Sequence, residues 1–262
     1  MIRTLLPAAA AASLLAVPAS AETLLAIFAH PDDELTAAPL LAKYAREGHD
    51  VHLALVTKGD AGPGVSDYEP GEELAAVRAG EAQCSANALG LRSLGFAEGF
   101  GDGQLGAQMS PPAGRLDELA ASLGRLLERI DPDTIVTWGP DGGYGHPDHR
   151  LTSAVVTQLV QSIDTEEAPR LLYVGVPSFE GPLPPAFADW ATTDPANLNV
   201  TVPFEDADLN ATRAAFLCHE TQYDEVYRRG APDFLNGLVW KGAIRLRDWN
   251  GGEASESVFR TR

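Results

Sequence analysis

Positive charge is scarce in this chain of 262 residues: 19 Lys and Arg stand against 37 Asp and Glu, a formal net charge of −18. Affinity for phosphate backbones comes from clustered Lys and Arg that release counterions, so the balance excludes nonspecific nucleic-acid binding. It disfavours an anionic membrane surface for the same reason. Cysteine is nearly absent: Cys84 and Cys218 allow one bridge at most. The sequence leaves a disulfide and two buried thiols equally open, because it does not give the distance between their Cα atoms. There is no collagen-like period, no internal repeat and no linker long enough to separate two domains. Only 21% of residues are charged and 45% are hydrophobic, the profile of a folded core and not of a disordered acidic tail.

One apolar run stands apart from the rest. Met1–Arg3 gives a short positive start, Leu5–Pro18 is rich in Ala and Leu, and Ala19-Ser20-Ala21 supplies small residues at a cleavage position. This is the pattern of a secretory signal cut after Ala21, too short to span a bilayer comfortably. The expectation is a secreted or periplasmic mature chain with no stable membrane insertion after cleavage. The division that follows is 1–21 signal, 22–250 domain and 251–262 polar C-terminal tail.

Within the domain, apolar runs alternate with helical patterns. Residues 23–29 (TLLAIFA), 50–57 (DVHLALVT), 133–138 (DTIVTW) and 170–176 (RLLYVGV) read as strands, and 92–96 as a short one. Helical spacing predicts helices over 35–47, 72–89, 115–130, 149–163 and about 209–228. Strands separated by helices imply right-handed crossovers and a mainly parallel sheet. The fold class is therefore α/β, a three-layer sandwich with a mainly parallel sheet in one domain, whose ligands bind at the carboxyl ends of the strands.

Two of those strand ends carry the chemistry. His30-Pro31-Asp32-Asp33-Glu34 follows the first strand, and His146-Pro147-Asp148-His149 follows DTIVTWGPDGGYG. Asp at a helix start and Pro at its first turn are ordinary capping residues. Two such clusters, each keeping His at a strand end, point further. A zinc hydrolase needs about three protein ligands and an open position; two imidazoles and a carboxylate from these segments would supply them. Zinc lowers the pKa of a bound water to about 7, and a second carboxylate can take its proton.

With these residues in view, A-H-P-D-D-E and G-H-P-D-H together resemble the LmbE-like (PIG-L type) zinc-dependent N-acetylglucosaminyl deacetylase family. The similarity runs from about Leu24 to Tyr223. It includes the Thr57–Gly62 segment T-K-G-D-A-G, Arg78 and Glu81 on one helix, Gly101-Asp102-Gly103, and His219-Glu220-Thr221-Gln222 in place of H-x-S-Q. The resemblance implies that His30, Asp33 and His149 bind Zn2+, with Fe2+ or another divalent ion as an alternative. It implies Asp32 as the base that activates the metal-bound water, His146 as the acid oriented by Asp148, and Tyr144 as an oxyanion donor. Arg78 and Asp102 would contact the sugar. The implied fold is Rossmann-like, and the implied reaction removes an N-acetyl or N-acyl group from an amino-sugar-type substrate, a small molecule or a glycan.

Two other readings stay open: a noncatalytic extracytoplasmic sugar-binding protein, and a deacylase of a non-sugar N-acyl amine. His219, His49 and His52 read as structural. The Lys58–Gly64 loop lacks G-x-x-x-x-G-K-[ST], which argues against nucleotide binding. The acidic surface favours neutral or amine-bearing glycans over anionic substrates.

Overall fold

The computed structural model describes residues 21–109, 114–178 and 187–260. Residues 1–20 of the expected signal lie outside the described residues. Strand β1 (Thr23–Phe28) realises the first apolar run, and Leu24 to Phe28 are fully buried. A strand apolar at every position belongs in the middle of a parallel sheet, covered on both faces. Its side chains alternate accordingly: Leu24, Ala26 and Phe28 enter one core layer, Leu25 and Ile27 the other.

Among the described residues the sheet has seven strands in the order β3-β2-β1-β4-β5-β7-β6. Strands β2 (Asp50–Leu55), β3 (Ser93–Phe96), β4 (Thr134–Trp138) and β5 (Arg170–Val174) join β1 in parallel. The chain leaves β1 on one side, toward β2 and β3, and returns to β4 on the other. Strand order thus reverses between β1 and β4, where the carboxyl ends open a crevice. Both His-Pro-Asp clusters follow these two strands.

Helices α1 (Ala38–Arg46), α2 (Glu72–Ala88), α6 (Asp206–Cys218) and α7 (Glu225–Leu235) contribute to one core layer. The short α3 (Leu105–Met109), with α4 (Leu116–Ile130) and α5 (Pro147–Gln161), contributes to the other. The expected α/β three-layer architecture is the one observed. On α4 the i, i+4 set Leu119, Leu123 and Leu127 is buried, as its spacing predicts. Cys84 of α2 and Cys218 of α6 form a disulfide with Cα atoms 5.7 Å apart, which settles the alternative the sequence leaves open.

The structure departs from the sequence reading in the C-terminal third. The helix expected over 209–228 is two helices, α6 and α7, because the Asp224 side chain accepts from the Tyr227 backbone N–H and starts a new helix. Strands β6 (Val200–Pro203) and β7 (Ala243–Asp248) are additional and antiparallel. One has four residues and the other carries Arg245 and Arg247, so neither presents a long apolar run. The polar tail expected from residue 251 is exposed over 251–254, but the chain then packs against the domain at 257–259. Val258 and Phe259 are buried, the Thr134 hydroxyl donates to the Val258 carbonyl at 3.0 Å, and Arg170 donates to the Ser257 carbonyl at 2.9 Å. Two apolar residues in a polar context suffice to draw the segment into the core.

Candidate active site

The loop after β1 turns sharply at Asp32, whose φ of 96° is in the left-handed region that non-glycine residues seldom occupy. Neighbours fix this conformation. The Asp32 N–H donates to Glu34 Oε2 at 2.9 Å, and Arg78 Nη2 donates to the Pro31 carbonyl at 2.7 Å. Such strain persists where surrounding contacts over-determine it. Glu34 is fully buried, and its other oxygen accepts from Ser85 Oγ at 2.6 Å and pairs with His219 Nε2 at 2.7 Å.

Three side-chain atoms converge beside this turn. His149 Nε2 lies 3.2 Å from His30 Nδ1 and 3.1 Å from Asp33 Oδ1, and His30 Nδ1 lies 3.7 Å from the other Asp33 oxygen, Oδ2. Ligands about 2.1 Å from a tetrahedral zinc are separated by roughly 3.4 Å, so the spacing suits a small divalent cation. The opposite edge of each ligand is already engaged. His149 Nδ1 is 3.0 Å from the Gly142 carbonyl, which assigns it the proton and leaves Nε2 free to bind. Asp33 Oδ2 accepts from the Ala29 and His30 backbone N–H groups and from Trp138 Nε1, leaving Oδ1 toward the site. His30 Nε2 is 3.0 Å from Asp102 Oδ1 and 3.3 Å from Asp148 Oδ2, the carboxylate partners that orient a ligating imidazole.

Two other groups bring ligand atoms within 4.8 Å of one another: His30, His146 and His149, and His30, Asp102 and Asp148. In the second the carboxylates sit at hydrogen-bond distance from the Nε2 edge of His30, while its Nδ1 edge faces His149. The donor set His30, His149 and Asp33 fits the implied metal, and it shares His30 and His149 with the first of these groups. The two nitrogens and one oxygen suit zinc, and iron equally.

The electrostatics follow from burial and pairing. Burial opposes ionisation of Asp33, but His149 and His30 outweigh it and hold the carboxyl well below its usual range. Burial raises Asp32, with the Arg78 guanidinium opposing the shift. Burial also raises the Tyr144 hydroxyl, and the charges of Asp33, Asp32 and Asp102 add to the effect, so it stays protonated at neutral pH.

The remaining expected residues surround these atoms. His146 caps α5, and its Nδ1 accepts the Asp148 backbone N–H at 3.2 Å. Asp148 thus meets His146 through its main chain; its carboxylate is aimed instead at His30 and at the Gly103 N–H, 2.7 Å away. Residues two apart at a helix start point in different directions, so one side chain cannot serve both. Asp102 is buried between His30 and Arg78, its Oδ2 3.6 Å from Arg78 Nη1. Arg78 is also buried and donates to the Gly59 carbonyl at 3.0 Å as well as to Pro31, clamping the two loops together. Both line a polar pocket with His30, Asp32, Tyr144, His146 and Gln222.

Other residues at the site carried no assignment in the sequence reading. Trp138 ends β4, donates to Asp33, and stacks on the His149 ring at 4.6 Å with an interplanar angle of 6°. Its place at the end of an apolar strand is that of a core residue. Tyr223 donates its hydroxyl to Asp32 Oδ2 at 2.8 Å from the corner between α6 and α7. Reading that corner as continuous helix hides it. Glu34 and His219 form their buried pair across 185 residues of sequence, as a structural His219 requires.

Residues 25–160 match the PIG-L family, described as GlcNAc-PI de-N-acetylase. The chain belongs to this family. A 1D-myo-inositol 2-acetamido-2-deoxy-alpha-D-glucopyranoside deacetylase of Rhodococcus erythropolis is 35% identical over 167 residues, 58% of this chain and 57% of that one. The protein of the same name from Corynebacterium diphtheriae is 29% identical over 223 residues, 75% of each chain. The chain matches a little over half the length of the first such relatives. Among solved structures, the N,N'-diacetylchitobiose deacetylase of Pyrococcus horikoshii has a TM-score of 0.62 at 20% identity, covering 87% of this chain and 84% of that one. GalB, the 4-carboxy-2-hydroxymuconate hydratase of Pseudomonas putida, has a TM-score of 0.58 at 17% identity over 87% and 96%. The fold thus serves more than one reaction, and the chemistry is decided by the site.

Proposed function

We propose that this PIG-L family member is a metal-dependent hydrolase that removes the N-acetyl group of an amino-sugar-type substrate, as the names of its relatives suggest. The observation that carries this reading is the convergence of His30 Nδ1, His149 Nε2 and Asp33 Oδ1, with Asp32 and His146 lining the same pocket. A divalent cation, zinc or iron, held by these three residues would act as a Lewis acid on the amide carbonyl and acidify water.

The chain's own groups supply the rest. Asp32 is the base that takes a proton from the attacking water, held by Tyr223 at one oxygen and by Arg78, 3.4 Å away, at the other. His146 accepts at Nδ1, so its neutral ring carries a proton on Nε2 and serves as a hydrogen-bond donor to the amide nitrogen, while the proton that Asp32 takes from water passes to the departing amine. The protonated Tyr144 hydroxyl is a donor for the negative charge that develops on the carbonyl oxygen. Arg78, Asp102 and Gln222 give the pocket a polar wall suited to sugar hydroxyls.

Acetate release from metal-loaded protein over a panel of N-acetylated amino sugars tests the reading. Asp32→Asn keeps metal and loses turnover by orders of magnitude, whereas His149→Ala loses metal. Full activity in both variants would refute the mechanism. Export of the mature chain belongs to the same proposal. Its support is the 1–21 pattern and the Cys84–Cys218 disulfide, which persists in oxidising compartments. N-terminal sequencing of the product from fractionated cells should read from Glu22, and Met1 in the cytosolic fraction would refute it.

A further inference from the structure

A second cavity adjoins the polar pocket and differs from it in chemistry. Its walls include Phe187, Trp190, Phe216, Phe234, Val239 and Trp240, and Asp32 lines both spaces. A run of rings leads from one to the other: Tyr144 to Trp190 at 5.6 Å, Trp190 to Phe187 at 5.6 Å, and Phe187 to Phe234 at 6.1 Å. Two of the polar groups on its wall are turned to the backbone. Arg245 Nη1 donates to the Trp240 carbonyl at 2.8 Å, and Thr36 Oγ1 donates to the Asp33 carbonyl at 2.8 Å. Those two atoms are committed to the protein's own backbone.

We propose that this cavity receives the hydrocarbon chain of an N-acyl group longer than acetyl, so that the preferred substrate is an N-acylated amino sugar with an extended acyl chain. The proposal rests on the deacylase reading above. The carbonyl carbon of an amide carries nitrogen on one side and the alkyl group on the other. His146, the hydrogen-bond donor to the amide nitrogen, lines the polar pocket and not the apolar cavity. With the amine turned toward His146 and the sugar toward Arg78 and Gln222, the alkyl group is directed past Asp32 into the apolar space. Hydrolysis breaks the C–N bond, forms a C–O bond from water and delivers one proton to the amine, so the products are a fatty acid and a free amino sugar.

An acetyl methyl leaves most of this aromatic wall untouched, whereas each added methylene gains burial. At about 0.8 kcal/mol per methylene, kcat/KM should rise about threefold to fourfold per carbon. The test is kcat/KM of metal-loaded, full-length protein on N-acetyl-, N-butanoyl-, N-hexanoyl- and N-octanoyl-glucosamine, with the octyl glycoside of N-acetylglucosamine alongside. The expected result is a gain on the order of a hundredfold by hexanoyl and none from the octyl glycoside. Val239→Phe, which narrows the cavity away from the reacting groups, should abolish that gain and leave acetyl hydrolysis unchanged. Robust acetate release with a flat or falling chain-length series overturns the proposal alone. A gain from the octyl glycoside in place of the acyl chain also overturns it, since the cavity would then hold the aglycone. Absence of hydrolysis across the whole panel overturns the deacylase reading and this one with it.

Discussion

Removing the Cys84–Cys218 bridge should cost this protein a large part of its stability while leaving the folded site intact. The bridge closes a loop of 134 residues, from the middle of α2 to the end of α6. In the chain-entropy account, a cross-link of that span restricts the unfolded ensemble by about 5 kcal/mol. A typical domain has a total of only about 5–15 kcal/mol. With a urea slope of about 3 kcal/mol/M, the unfolding midpoint of Cys84→Ser/Cys218→Ser should fall by nearly 2 M. Tryptophan fluorescence is a suitable probe, because Trp138 sits beside the site and Trp240 packs in the C-terminal layer. Cys84 is exposed, so the same shift should follow mild reduction of the native protein. Since the cost lies in the unfolded state, turnover without denaturant should be unchanged in the variant. Coincident midpoints would refute the loop argument. A variant with its midpoint preserved and its turnover lost would show that the bridge acts locally, through the adjacent His219 and its pair with Glu34.

Three further outcomes follow from particular contacts. Trp138→Phe keeps a ring near His149 but removes the donor to Asp33 Oδ2, so metal affinity in a competition titration should fall by about 10- to 100-fold; unaltered affinity would mean that the two backbone donors hold Asp33 unaided. Tyr223→Phe removes a hydrogen bond to a charged base, worth about 1.5–3 kcal/mol, and should lower kcat by roughly tenfold or more with metal content and KM little changed; an effect confined to KM would contradict the positioning role. Phe259→Ala should destabilise by about 3–5 kcal/mol in urea titration, because the ring is buried against Tyr44 and His49 with centroids 5.1 and 4.7 Å away; a loss near zero would mean that the C-terminal segment does not contribute to the core.

What the sequence disclosed depended on how far apart the cooperating residues lie. The parallel half of the sheet was legible because each of its strands is a compact apolar run, and TLLAIFA can hardly be anything but a central strand. The two His-Pro-Asp clusters were legible because each is contiguous and follows such a strand. The partners of those clusters were not. Trp138 looked like core because it is core on one face of its ring, and only the three-dimensional arrangement gives its N–H to Asp33. Tyr223 lay hidden because Asp224 breaks a helix that periodicity would have continued. The Asp148 carboxylate differs from what the resemblance implies: the fold brings His30 to it, and His146 meets only its backbone N–H.

These long-range partners explain how a strained base is kept in place. The left-handed turn at Asp32 is not stabilised by its own loop alone. Glu34 fixes the Asp32 N–H and is itself bonded to Ser85 from α2 and His219 from the end of α6. Arg78, also from α2, holds Pro31, and Tyr223 holds the Asp32 carboxylate. The disulfide ties α2 and α6 together one residue before His219. His219 and Tyr223, from the segment of the fold that the sequence described least well, thus share with α2 the positioning of Asp32. That same segment supplies Phe216, Phe234, Val239 and Trp240 to the apolar cavity. The polar chemistry resides in the parallel half, within the region that matches the family, while much of the apolar cavity is built by residues beyond residue 160. If the cavity takes the acyl chain as proposed, replacing Phe216, Phe234, Val239 or Trp240 changes the group accepted while His30, Asp33 and His149, the proposed ligands, stay in place.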